Sequence, residues 1–503
     1  MADISRRLLL QSAAAGSLVA PALAAEPDSV TIGWPSDVTS WDPNQRFTPD
    51  AQSIFKAIFD QPLDQDPSLK LVPKLITKWE MGPEAKSLTL EFRDDVTFHD
   101  GSKFTAEDFA WSFHGRIKAG HKVDVAQSMR KVTGIEVLSP TKAVMHFDSP
   151  APTVPAWLAF LGSFVVPKAY MEKVGMEEFA RKPIGTGPYK LVEHQMNARI
   201  VLERNDAYWG PKPKMKRITI EIIKDPSARV AAVQSGQVDI TLAVPVREVT
   251  RLKAMPNLAA DLTPVTKVIL LQVRNDEGFA DPNIRLAAHH AIDKKALSQA
   301  FYAGAAVPLS MLGVPGSPGY IDDFKFDFNP ELSKQLLAKS GYSMEKPAKI
   351  RMASTNGQFP SDYDIARAIV QMWKKVGIEA ELEVIEYAKY FELNRGNKLP
   401  ETTLYTFDNA TGDPEIYTGY LLNPKLPFSP WKDMTLGQKV IDQFNVADEK
   451  ARIAGWRAIG KEATEMGASM PLLQSVITVV RKKNLTVTPY GNGWILPQAM
   501  SWS

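Results

Sequence analysis

Residues 87–113 read SLTLEFRDDVTFHDGSKFTAEDFAWSF, and the chain is organised around this stretch. Leu88, Leu90 and Phe92 alternate with polar residues, the period of a half-buried strand. Asp94-Asp95 turns the chain, Val96 and Phe98 start a second short strand, and Asp100-Gly101 is a further turn. Thr105 precedes Asp108 by three residues, so Asp108 stands where a capping box usually has Glu or Gln. Phe109, Phe113 and Ile117 then recur at helical spacing. A hairpin feeding a capped helix is predicted, and by itself it is scaffold.

The stretch also resembles the signature of the dipeptide-, oligopeptide- and nickel-binding proteins of ATP-driven bacterial importers. Three further blocks follow in that family's order. They are Pro183-Ile-Gly-Thr-Gly-Pro-Tyr-Lys190, then Leu202-Glu-Arg-Asn205 with Tyr208-Trp-Gly210, then Asp225-Pro-Ser-Ala-Arg229 with Ser235-Gly-Gln-Val-Asp239. The resemblance runs from about Ile32 to the C-terminal strands. It implies an α/β, periplasmic-binding-protein-like clamshell of two lobes with a small domain inserted in the first. On that reading residues 26–61, 171–268 and 478–503 form lobe 1, 62–170 the insert and 269–477 lobe 2.

Bulk properties fit an exported binding protein and exclude other classes. The chain has 503 residues, 44% of them hydrophobic, enough for roughly two to four cores. Charge is balanced, 59 basic against 57 acidic residues, and no basic excess points to nucleic acid. The absence of cysteine excludes disulfides, thiolate metal sites, a cysteine nucleophile and a lipoprotein anchor. Ser5-Arg-Arg-Leu-Leu-Leu10 and the small-x-small site Ala22-Leu-Ala24 form an export signal of twin-arginine type over residues 1–25. The mature protein is expected free in a periplasm, as a monomer.

The rest of the chain reads as two α/β units. In the first, Ile218, Ile220 and Ile222 alternate in a strand, Asp225 caps a helix with Pro226 at its first position, Gly236 ends it, and 238–242 is the next strand. In the second, a strand at 349–354 precedes an amphipathic helix at 362–376 stopped by Gly377, and 378–384 alternates strictly. Between them Asp281-Pro282 opens a helix through Ile284, Ala288, Ile292 and Leu297, and Asn329-Pro330 opens another that closes at Gly341. A late strand at 472–481 is expected to return to the first lobe.

Enzyme motifs are missing. No GxxxxGK[ST] loop or HExxH helix occurs, and Pro315 stands where a GxSxG elbow would start. Gly185-Thr186-Gly187 lacks the third glycine of a dinucleotide loop, and Pro188 removes an N–H that would face phosphate. No cofactor or metal is therefore expected. The last of seven histidines is His290, and His289 and His290 are helix neighbours that do not chelate together.

Site candidates come from the resemblance. In peptide-binding relatives an aromatic-x-x-Asp followed by Asp-Pro supplies a carboxylate to the peptide's amino terminus. Here Tyr405-Thr-Phe407-Asp408 and Asp413-Pro414 match, with Tyr405 where Trp is usual and Asp408 at the carboxylate position. Charge-assisted hydrogen bonds to an ammonium are each worth roughly 1.5–3 kcal/mol net. The interval from Asp408 to Asp413 is longer than in the dipeptide-binding pattern, so Asp413 is the alternative carboxylate, and both residues are also ordinary loop caps. Trp34, Trp41, Tyr405, Phe407 and Tyr417 are candidate aromatic walls, and Gly185, Thr186 and Gly187 a candidate cleft border. Ser354-Thr-Asn-Gly357 follows a strand end, where α/β folds bind ligands. The implied function is capture of a small solute, foremost a di- or oligopeptide, for a membrane permease. The alternatives are a non-peptide solute (opine, sugar conjugate or metal chelate), a secreted peptide or amide hydrolase, and a periplasmic chaperone.

Overall fold

The structure, a computed structural model, describes residues 28–45, 49–426 and 429–503. The export signal lies outside the described residues. Among them, no helix is long and apolar enough to cross a membrane.

An 11-stranded mixed sheet runs through the molecule. From one edge its strands are Ile378–Val384, Ala348–Ser354, Thr402–Phe407, Leu258–Val273, Ser469–Lys482, Ile240–Leu242, Ser29–Trp34, Arg217–Ile222, Arg199–Arg204 and Tyr189–Gln195, with Val307–Pro308 attached to Ser469–Lys482. The two longest strands, Leu258–Val273 and Ser469–Lys482, pair antiparallel along most of their length. Their ends serve different cores. Leu258, Ala260 and Val480 pack with the helix Pro226–Ser235, whereas Val268 to Leu271 and Met470 to Leu473 sit in the large second-lobe core. These strands therefore join the two lobes of the clamshell.

Both α/β units form from the local signals. Asp225 accepts the Ala228 N–H at 2.7 Å and caps Pro226–Ser235, and Gly236 ends it at φ 79°. The strand after it is shorter than predicted, Ile240–Leu242, and Ser29–Trp34 lies between it and Arg217–Ile222, parallel to both. In the second lobe Ala348–Ser354 and Ile378–Val384 pair in parallel around the helix Asp362–Lys374. The single helix expected beyond Asp281 is two, Pro282–His290 and Lys294–Tyr302, because Asp293 accepts the Ala296 N–H at 2.9 Å and caps a new one.

The signature stretch departs from prediction at one point. Ser87–Phe92 is a strand with alternating burial, but its partners are Ile76–Met81 and Lys142–Phe147. Val96 and Phe98 form no second strand; one isolated bridge, Thr97 to Lys103, closes their loop. Both side chains are buried with Phe92, Phe104 and Phe109, so packing rather than a sheet edge takes them. Asp108 accepts the Thr105 N–H at 2.9 Å, as the capping pattern requires, and the Thr105 hydroxyl also donates to it at 3.2 Å. The helix continues through a π turn, Trp111–Gly115, to Arg116. There the fully buried guanidinium pairs with both oxygens of Asp42 and donates to Asn44 at 2.7 Å. The insert is thus tied to the first-lobe loop by a buried, paired charge.

Candidate functional site

The pairing of the joining strands shifts register twice, between Pro264 and Val268 and between Ile269 and Leu270, and the first shift is the larger. Pro264 faces Val476, but Val268 faces Gln474, so the strand Leu258–Val273 carries two extra residues between these pairs. Such a bulge bends a strand and re-aims its side chains. Thr266 anchors it: its N–H donates to Gly491 O at 2.7 Å, its hydroxyl donates to Asn409 O at 2.9 Å, and its carbonyl accepts the Tyr417 hydroxyl. The next residue is Lys267. Val268 pairs with Phe407 on the neighbouring strand, which places Lys267 across from Asp408, and Lys267 Nζ lies 3.6 Å from Asp408 Oδ2.

Both charges line a cavity of about 220 Å³ whose walls come from both lobes. Trp34, Leu242, Phe359, Ile477 and Trp494 supply apolar surface, and Gln358, Ser475, Thr478 and Asn492 supply polar groups. A larger recess of about 910 Å³ adjoins it and shares Pro35, Ala243 and Gln358 to Pro360. An apolar cavity with a few convergent polar groups is the usual form of a small-molecule site. Asp408 Oδ1 is buried without a hydrogen-bond partner.

The candidates separate on this geometry. Asp408 and Trp34 line the smaller cavity. Asp413 lies elsewhere: Arg452 donates to its two oxygens at 2.8 and 2.7 Å, and Oδ1 also accepts the Glu415 N–H at 2.9 Å. Its carboxylate is engaged in an ion pair and a local turn. Tyr417 is buried beneath the bulge; burial, and after it the Asp408 charge, hold its phenol well above the usual range. Tyr405 stacks on Tyr390 at 4.3 Å and Phe407 packs between the insert and second-lobe cores, so neither lines the two cavities. Trp41 is first-lobe core, its indole N–H donating to His194 Nδ1 at 2.9 Å.

The glycine loop has another neighbour than a ligand. A Cβ at Gly185 would stand 2.0 Å from Ile58 O, and one at Gly187 2.5 Å from Ile58 C, so glycine is needed where two backbones touch. Thr186 is buried and donates to Asp60 at 3.0 Å. His99, from the signature stretch, is lowered to about 4 by burial; its Nδ1 accepts the Gly185 N–H and its Nε2 meets Gly187 O. Within Ser354-Thr-Asn-Gly357, Thr355 and the Gly357 N–H bond Asp362, while Asn356 and Gly357 border the larger recess. His289 and His290 both stack on Phe326, at 3.9 and 4.2 Å.

Lys267, Gln358, Ser475, Thr478, Asn492 and Trp494 escaped the sequence reading. Only Lys267 left a trace, as a lone charge entering the apolar run Val268-Ile-Leu-Leu271.

A two-lobed α/β protein with a mixed polar and apolar cavity at the lobe junction belongs to the class that captures solutes between its lobes. Residues 70–425 match the family described as bacterial extracellular solute-binding proteins, family 5 Middle, and the chain belongs to that family. It is the substrate-binding component of an ABC importer. It is similar to the dipeptide-binding protein of Escherichia coli (strain K12), 27% identical over 414 residues, covering 75% of this chain and 76% of that one. It is also similar to the nickel-binding periplasmic protein of the same organism, 24% identical over 524 residues and 97% of each chain. NikA from Brucella suis in complex with Fe(III)-EDTA shares the fold, with a TM-score of 0.84 at 20% identity, covering 94% of this chain and 100% of that one. Both of these Escherichia coli relatives are binding proteins by name.

Proposed function

We propose that this protein captures a short peptide in the cavity at the lobe junction and that Asp408 receives the peptide's ammonium. The observation that carries this reading is the Asp408 carboxylate on the cavity wall, 29% exposed and 3.6 Å from Lys267. An ammonium in the cavity would gain charge-assisted hydrogen bonds to the accessible face of this carboxylate. Similarity to a dipeptide-binding protein supports the ligand class. The lobes close on the ligand by bending at the two joining strands, and the closed form docks on a membrane permease. The protein performs no bond chemistry and works as a monomer in the periplasm, exported by the twin-arginine signal. The lobe boundaries proposed from the sequence, near 268 and 478, are supported by the strands that run through both cores.

Native mass spectrometry of the mature protein, compared with its denatured mass, tests the ligand. Added masses matching short peptides are expected; one discrete non-peptide mass would end the peptide assignment and leave the clamshell.

A further inference from the structure

Ion pairs fasten the insert to the first lobe: Arg116 to Asp42, Lys74 to Asp60 at 3.3 Å, and Asp64 to Lys56 at 2.6 Å. The insert also touches the second lobe. The Thr153 hydroxyl donates to Glu415 Oε2 at 3.1 Å, Lys131 Nζ to Phe444 O at 3.3 Å, and Gln65 Nε2 to Thr411 O at 3.3 Å. Arg130 lies over the Tyr420 ring at 5.3 Å, and Ile416 is buried in the insert's own core. We infer that this seam is a proton-operated clasp: the insert closes on the second lobe with Glu415 protonated, and loss of that proton to water favours release. The inference rests on the hinged closure proposed above and links a proton to it.

Three observations carry it. First, the seam joins bodies that part when the hinge bends. The insert travels with the first lobe, so opening breaks the three hydrogen bonds and draws Ile416 out of the insert core. Second, the seam is incompletely packed. It keeps a cavity of about 20 Å³, walled by Ser128, Lys131, Thr153 and Trp157 on one side and Glu415 and Tyr420 on the other. Ser128 Oγ is buried without a hydrogen-bond partner, unlike most polar groups in a finished core. Third, Glu415 opens a π turn, Glu415–Gly419, and its carboxyl is buried where the insert covers it.

The groups around Glu415 decide which state holds the proton. Its own segment supplies Asp413, and the helix Glu449–Glu465 supplies Arg452, with Glu449 beside it. The insert supplies Lys131, with Arg130 and Asp148 near that lysine. Burial, and after it the Asp413 charge, disfavour the carboxylate; Arg452, Lys131 and the Thr153 hydrogen bond favour it, and the balance raises the group from 4.5 to about 7. Opening admits water and relieves burial, the largest of these causes. The closed form therefore binds the proton more tightly than the open form. Its bias toward closure is full below pH 4.5 and is lost as pH rises through about 7.

Distances between two spin labels test this in the full mature protein without ligand. The chain has no cysteine, so Glu136→Cys on the insert and Glu331→Cys on the second lobe, both exposed, carry the labels alone. Pulsed dipolar spectroscopy should resolve a closed and an open distance, their ratio at least about tenfold higher at about pH 5.5 than at about pH 8.5. Glu415→Gln, neutral throughout, should hold the ratio within about twofold over that range. Thr153→Val, which keeps the carboxyl, should lower the closed share about threefold or more at about pH 5.5. Two distances whose ratio ignores pH, or falls as pH falls, overturn the inference and leave hinged closure standing. A single distance throughout overturns both. A pH dependence that survives in Glu415→Gln, or a ratio unmoved by Thr153→Val, also overturns the inference.

Discussion

Asp408 and Asp413 lie five residues apart in one loop, yet they meet opposite surroundings. Asp413 is bidentate to Arg452, with exposures of 15% and 5%, and its other contacts are local. Asp408 faces a cavity, touches one cation at 3.6 Å, and keeps a buried oxygen without a partner. In the first arrangement both carboxylate oxygens are engaged by an arginine, as those of Asp42 are by Arg116. The second leaves its carboxylate on a cavity wall, where we propose that a ligand meets it. A carboxylate's role here follows from what its oxygens still lack, not from its distance along the chain.

The sharpest way to break this comparison is at one of these arginine pairs. Arg116→Ala should cost about 3–5 kcal/mol of stability in denaturant unfolding, because it strands Asp42 in the interior. A loss below about 1 kcal/mol would mean that water reaches Asp42.

Next in size is a pH effect beside Asp413. Burial, followed by the Asp413 charge, raises the Glu415 carboxyl to about 7 from its ordinary 4.5. A raised folded-state value means that the folded protein binds the proton more tightly. Its stabilising contribution is full below pH 4.5 and disappears as pH rises through 7. Glu415→Gln should therefore remove a loss on the order of 3 kcal/mol between pH 5 and pH 8. Thermal unfolding of both proteins across that range checks it; parallel curves would refute it.

Asp408→Asn probes the cavity-facing carboxylate. Peptide affinity should fall by roughly 1.5–3 kcal/mol, about ten- to a hundredfold, measured by calorimetry. Stability should move by less than about 1 kcal/mol, because Asp408 and Lys267 are about a third exposed and water screens the pair. Unchanged affinity would take Asp408 out of the site. The smallest effect is expected at Tyr417→Phe, which removes one buried hydroxyl from Thr266 O. Stability should drop by about 1 kcal/mol, with affinity within about twofold of wild type. A large affinity loss would instead make Tyr417 part of the ligand wall.

Local chemistry was legible wherever the deciding partner lies within a few residues. Asp225 and Asn329 cap the helices they precede, accepting N–H groups at 2.7 and 2.9 Å, and Gly236 and Gly377 adopt the positive φ read from their positions. The alternation of Leu88, Leu90 and Phe92 produced a strand, but its partners, 76–81 and 142–147, could not be read from the stretch itself. The glycines at 185 and 187 were read as a cleft border, but they are needed where two backbones touch. That the approaching group is Ile58 backbone was not legible, because it comes from more than a hundred residues away.

By itself the sequence determined the family, through four blocks in order, the α/β character, and Asp408 as a candidate carboxylate. Caps, periods and motifs are short-range patterns, which a chain carries before it folds. Tertiary structure alone decided which carboxylate faces the cavity and which is bound to Arg452. It also decided that Lys267 faces Asp408 across 141 residues of sequence. The reason is the pairing of Leu258–Val273 with Thr402–Phe407, on a strand that also bulges by two residues against Ser469–Lys482 at the lobe junction. That register is set by the cores on either side, and no local pattern records it.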